Sequence, residues 1–329
     1  MTILDRTYGC VLGGLIGDAM GTPTEGKEPD DIESTFGWVD DFEGDGTDDS
    51  ILKYLLCEAL IETDGYATAD DWAAAWRKNA HLITGPKQNR FFVSVKQTFT
   101  KLRVGYLPRM ASIGNLPSSS SAMSISPIGI INAGHPRAAA AQAQDLGTLI
   151  HTGDVSFCQD GAASIAAAVA CAFNPTATLD DVLAAATGYL KPTSGAEVSN
   201  LIQKAVILAK ETEDYHDFRD AYHQQFRQQI TCDTRETVPA VFGLCYLAQG
   251  DPEKAITYGS NFGRDTDTIA TMAGAICGAF KGGNALPAAW ITKAEANADR
   301  NQQALAQSLV DVAHKKAQAE TTAWQLLMA

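Results

Sequence analysis

Two short acidic stretches carry the residue types from which a hard-cation site is built. Late in the 329-residue chain, Gly263-Arg264-Asp265-Thr266-Asp267-Thr268 runs straight into a small-residue apolar segment, Ile269 to Phe280. Far upstream, Gly46-Thr47-Asp48-Asp49-Ser50 repeats the arrangement, a hydroxyl and adjacent carboxylates followed by an apolar run from Ile51 to Ile61. The carboxylates of an Asp-x-Asp turn can converge on one cation, with Thr268 adding a third oxygen. Hard oxygen donors suit Mg²⁺ or Mn²⁺ better than Zn²⁺. Asp and Thr are also favoured at helix N-caps, where acids complement the helix dipole. One cluster alone therefore reads as capping, and it is the pair, each opening a helix, that points to a metal pair.

The elements that must position these stretches are helical. Glycines at 9, 13, 17 and 21 recur every four residues in Tyr8 to Gly21, which on a helix makes a smooth stripe for close approach of another helix. Each interior glycine is destabilising by roughly 0.5–1 kcal/mol relative to Ala, so tight packing must offset the series. Asp18 lies in this segment, either solvated near a helix end or buried with a cation or a set of N–H donors. Thr22-Pro23-Thr24-Glu25-Gly26 stops the helix and places Glu25 on a loop. The acids from Asp30 to Asp45 read as solvated connection.

Apolar spacing predicts helices over 50–62, 70–83, 136–149, 161–173, 179–190, 196–210, 215–229, 236–248, 254–262 and 297–328. Trp72 and Trp76, four apart, read as core. Between Gly85 and Pro127 the pattern weakens, and Ser118 to Met123 reads as a hydroxyl-rich loop, either offering amides and hydroxyls to a phosphate or sugar or simply flexible surface. His151, a lone histidine at a helix end, reads as a hydrogen-bonded structural residue. Alternating strand patterns are scarce, so the expected class is all-α. With no repeat, no linker and the acidic clusters at opposite ends, one domain over 1–329 is expected.

Composition narrows the function classes. A formal charge of −14 and a pI near 4.8 disfavour binding to a nucleic-acid backbone. No apolar run approaches the ~20 residues of a membrane span, and the start of the chain lacks the pattern of a signal peptide. Seven widely spaced cysteines without a Cys-x-x-Cys pair predict free thiols and a cytoplasmic setting.

With Gly9-x3-Gly13-x3-Gly17-Asp18-Ala19-x-Gly21, Gly46-Thr-Asp-Asp-Ser50 and Gly263-x-Asp265-Thr-Asp267-Thr268-x-Ala270-x3-Gly274-x3-Gly278 in order, the chain resembles the ADP-ribosylglycohydrolase family over nearly its whole length. Ser126-Pro127-Ile128-Gly129, His151 and Glu236-Thr237-Val238-Pro239 add to the likeness. The resemblance implies an all-α orthogonal helical bundle with a binuclear Mg²⁺ or Mn²⁺ centre, ligated by Thr47, Asp48, Asp49, Asp265, Asp267 and Thr268. It implies that Glu25 approaches the substrate and that the loop holding Ser119, Ser120, Ser121 and Met123 contacts the diphosphate and distal ribose. His151 would line the same cleft.

The activity so implied is metal-dependent hydrolysis of the ribosyl C1 bond of an ADP-ribosylated protein side chain, arginine foremost. Asp48 or Asp49 would take a proton from water, and Glu25 would assist or protonate the leaving group. The partner would be an ADP-ribosylated protein or an ADP-ribose-like small molecule. Two departures stand out: Ser50 replaces the usual Thr, and Ser118 to Ser124 replaces Gly-Asn-Gly-Ala-Ala-Met-Arg, losing two glycines and an arginine. The altered loop leaves room for a smaller ribosyl metabolite as substrate. A non-catalytic scaffold, like the family's lens-crystallin relative, is the third reading, against which four clustered aspartates would be a destabilising burden.

Overall fold

The glycine stripe of the first helix, Ile3–Gly21, meets a matching stripe on the late helix Thr266–Lys281, and this antiparallel pair is the spine of the molecule. A Cβ on Gly13 would lie 2.9 Å from the carbonyl carbon of Gly274, and one on Gly17 only 2.7 Å from the amide nitrogen of Thr271. Gly9 and Gly21 meet Gly278 and Asp267 in the same way. The backbones thus touch at four successive points, which a side chain at any of these four glycines would prevent. Arg6, buried, donates to the carbonyls of Ala172, Ala279 and Phe280, placing a cation at two helix C-termini where the dipoles favour it.

The computed structural model describes residues 1–329 as nineteen α-helices and three 3₁₀ turns, with no strand. The all-α expectation holds. Several boundaries differ from the periodicity reading. The 70–83 segment breaks at Asn79 into Ala69–Lys78 and Ala80–Thr84, and the last helix begins at Gln302, capped by Asn301, after a separate helix Ala288–Asn297. Other helices escaped the reading, Pro29–Phe36 and Val93–Arg103 among them. Pro29–Phe36 starts on a proline with acids in its first turn, good N-terminal residues that read as surface charge. Val93–Arg103 buries Val95, Phe99 and Leu102, a correct stripe too short to stand out from its irregular flanks.

Trp72 and Trp76 are fully buried and meet edge to face, with ring centroids 5.6 Å apart. The alanine-rich helix Phe157–Ala172 lies in the interior. Contrary to the length argument from sequence, Gly153–Ala172 taken together is long and apolar enough to cross a membrane, but 78% of that window is buried against the rest of the fold. All seven cysteines are free.

Candidate metal centre and catalytic cleft

Asp18, at the end of the first helix, organises the upstream acidic corner. Its Oδ1 accepts from the Thr47 amide (2.9 Å) and hydroxyl (2.8 Å), and its Oδ2 from the Ser50 amide (2.9 Å) and hydroxyl (2.6 Å). The carboxylate is fully buried, so of the alternatives open from sequence the N–H and O–H donors are the ones found. Gly46 makes this possible: its φ is +83°, and a Cβ there would sit 2.9 Å from Ser50 Oγ and closer still to Asp18. The clamp starts the helix Asp48–Glu62 with Asp48 and Asp49 at the cleft.

The downstream corner is held as firmly. Gly263 and Arg264 both have positive φ, +95° and +64°. For Arg264 this strain is sustained by reciprocal backbone bonds to the Glu25 loop, Arg264 N–H to Lys27 O (2.7 Å) and Gly26 N–H to Arg264 O (2.6 Å). Its guanidinium is clamped by Glu236 and donates to Gln228 O (2.8 Å). Arg264 is therefore not a surface residue; 11% of its side chain is exposed. The same bonds bring the Glu25 loop against Asp265 and Asp267.

The two corners meet. Carboxylate oxygens of Asp18, Asp49 and Asp267 lie within 4.8 Å of one another, as do those of Glu25, Asp265 and Asp267. Asp267 belongs to both groups. Thr268 Oγ1 stands 3.5 Å from Asp49 Oδ2, Thr47 Oγ1 3.4 Å from Asp267 Oδ2, and Ser119 Oγ donates to Asp265 Oδ2 at 3.2 Å. Asp49 Oδ1 is buried with no partner at all. An orphaned carboxylate oxygen in a nest of hard donors suits a divalent cation, so the residues present fit the metal. Asp18 spends its oxygens on Thr47 and Ser50 and serves as the clamp behind the ligands.

These acids open on a cavity of about 100 Å³ that Glu25, Asp48, Asp49, Ser119, Ser120, Met123, Asp265, Asp267 and Thr268 all line. A larger groove of about 710 Å³ beside the C-terminal helix has no such convergence of acids. Three residues expected at the site are not among those that line the cavity. Thr47 is turned toward Asp18. His151 is fully buried and bonded on both ring nitrogens, Nε2 to Ser118 Oγ (2.9 Å) and Nδ1 to Ser121 Oγ (3.0 Å). Burial pushes its pKa down to about 3, so the ring is neutral and props the serine turn rather than touching the cleft; Ser121 is taken up by that prop. The serine stretch is not a flexible loop: Ser118 to Ser121 are buried, and Ser120–Ser124 is a short helix. Arg90, Phe92 and Cys232 also line the cavity, and no sequence signal marked them.

Burial, then the neighbouring carboxylates, pushes Asp48, Asp49 and Asp267 well above the ordinary carboxylate range, and Asp265 to about 8. Across the interval from about 4 to about 8 the folded, metal-free protein therefore holds more protons than the unfolded chain, and stability falls as pH rises. In chelator, melting temperature is expected to decline over that interval, and saturating Mg²⁺ is expected to flatten the slope. A metal-free protein whose stability rises steadily from pH 4 to 8 would contradict the clustering.

A sequence profile described as ADP-ribosylglycohydrolase matches residues 1–319. The chain belongs to the ADP-ribosylglycohydrolase family. Among its relatives in this family, an uncharacterized protein YegU of Escherichia coli strain K12 is 28% identical, over 89% of this chain and 92% of its own length. ADP-ribosylhydrolase ARH3 of Bos taurus is 25% identical, covering 95% of this chain and 94% of that protein. A solved structure described as an ADP-ribosylglycohydrolase-related protein complex superposes with a TM-score of 0.68 at 19% identity, covering 94% of this chain and 99% of that one. The orthogonal all-α bundle is thus the family fold.

Proposed function

We propose that the protein is a hydrolase that uses two Mg²⁺ or Mn²⁺ ions to release ADP-ribose from a modified protein side chain, arginine being the acceptor. The observation that carries the reading is the sharing of Asp267 between two converging carboxylate groups, with Asp49 Oδ1 left unpaired. Asp49, Asp265, Asp267 and Thr268 would hold the cations, with Asp48 at the rim. Bound there, the cation pair supplies Lewis-acid polarisation of the ribose hydroxyls and lowers the pKa of water.

The remaining work falls to the chain. Asp48 or Asp49 would take a proton from water, and Glu25, which lines the same cavity from its loop, would assist or protonate the leaving group. The transition state carries positive charge on the sugar, which a carboxylate-lined cavity stabilises. The same lining attracts the cationic guanidinium of a modified arginine. Seven free thiols suit a reducing compartment, and the proposal places the enzyme in the cytoplasm.

A second reading, a smaller ribosyl metabolite as substrate, draws on the cavity volume of about 100 Å³, well below the ~300–1,000 Å³ of ordinary ligand clefts. Incubation with ADP-ribosylated arginine and serine peptides and with simple ribosides separates the readings. Mg²⁺-dependent release from the arginine peptide, abolished by chelator, is expected. Release from ribosides alone would favour the second reading, and no release from any of them would contradict both.

A further inference from the structure

The cavity wall is crowded with carboxylates, so an anionic substrate group needs a cation with donors to spare, and the wall offers only two arginines. Arg264 is committed to both oxygens of Glu236 and to Gln228 O. Arg90 is not. Its one polar contact is Nη1 to Glu25 Oε2 at 2.9 Å, and 45% of its side chain is exposed. A guanidinium carries five N–H donors, so most of Arg90's capacity faces the mouth unused. A partly exposed ion pair of this kind contributes little stability, whereas a bidentate arginine–phosphate contact is among the stronger hydrogen-bonded pairs.

The segment holding Arg90 is anchored on both sides. Phe91 is 1% exposed, inserted in the core. Lys87 donates to Asp45 (2.6 Å) and to the Gly46 carbonyl (2.7 Å), tying the turn to the upstream acidic corner. Phe92, next in sequence, lines the same cavity. The serine turn supplies no cation: Ser118 and Ser121 face His151, Ser119 bonds Cys232 O and Asp265, and Ser124 donates to Ser120 O.

We infer that Arg90 is the specificity-determining residue that receives a phosphate of the substrate at the cavity mouth, exchanging Glu25 for the phosphate as the ligand enters. This rests on the ribosyl-directed function proposed above. The exchange leaves the Glu25 carboxylate free beside Asp265 and Asp267, so recognition of the anion and release of Glu25 are one event.

Calorimetric binding of ADP-ribose and of ribose, each with Mg²⁺, to the full chain and to its Arg90→Ala and Arg90→Lys variants tests this without requiring turnover. Arg90→Ala is expected to lose about tenfold or more in affinity for ADP-ribose, with ribose binding unchanged and melting temperature in the absence of ligand unaltered. Arg90→Lys should recover part of the loss, through charge without the bidentate geometry. Equal binding of ADP-ribose by wild type and Arg90→Ala, or equal losses for both probes, would overturn the inference and leave the proposed function standing. Wild-type protein that binds neither probe would overturn both.

Discussion

Asp267→Asn is expected to lower hydrolysis by at least ~10³-fold while leaving the protein folded and, in chelator, more heat-stable than wild type. The two effects have one cause. Asp267 is the acid common to both carboxylate groups, so neutralising it weakens both cation positions at once. It is also fully buried among Asp265, Glu25, Asp18 and Asp48, which together with burial disfavour its ionised form. Removing one of several like charges relieves that repulsion when no cation is present. Asparagine keeps the Oδ1 that accepts from the Thr268 amide at 2.9 Å, so the helix start survives. Melting curves with and without Mg²⁺ report the second half: a large upward shift in wild type and almost none in the variant. Undiminished turnover, or a variant that melts earlier in chelator, would contradict the assignment.

Gly17→Val is the corresponding test of the spine. The new side chain would drive into the backbone of Ala270 and Thr271, atoms that move only if the helix Thr266–Lys281 moves. The cost expected is about 3 kcal/mol of folding stability, the upper end for overpacking, read as a lowered urea midpoint. Because that helix begins with Asp265, Asp267 and Thr268, activity should fall further than the folded fraction does. Gly188→Ala is the control. Gly188, the exposed last residue of the helix Leu179–Gly188, has nothing within 4 Å of its ideal Cβ, so the change should stay within ~0.5 kcal/mol. A Gly17→Val protein with wild-type midpoint and turnover would mean that the close approach of the two helices is dispensable.

What could be read ahead of the structure was local. The two Asp-Thr corners and the four-residue glycine repeat are contiguous motifs whose chemistry shows in the residue types, and both ends do meet. The partner of Asp18 could not be read, because the donors that satisfy it come from Thr47 and Ser50, residues 29 and 32 positions later, brought back by a turn whose path depends on Gly46. The serine stretch misled because four consecutive hydroxyls look solvated. Burial there is set by distant groups, the Cys232 carbonyl accepting from the Ser119 amide and His151 bridging Ser118 and Ser121. His151, read from its own surroundings as structural and from family resemblance as a residue of the cleft, is hydrogen-bonded at both ring nitrogens and is not among the residues that line the cavity. Arg90 lay in the stretch where helical periodicity fades, and its position follows from Phe91 entering the core, which no spacing rule announces.

In the proposed function Asp267 joins two cation positions formed by opposite ends of the chain. Titration of the metal-free protein with Mn²⁺, followed by electron paramagnetic resonance, addresses it directly. Two ions per chain with the exchange-coupled spectrum of neighbouring manganese centres is the predicted result, and the coupling should vanish in Asp267→Asn. Binding of a single uncoupled ion, or a coupled spectrum indifferent to that substitution, would contradict it.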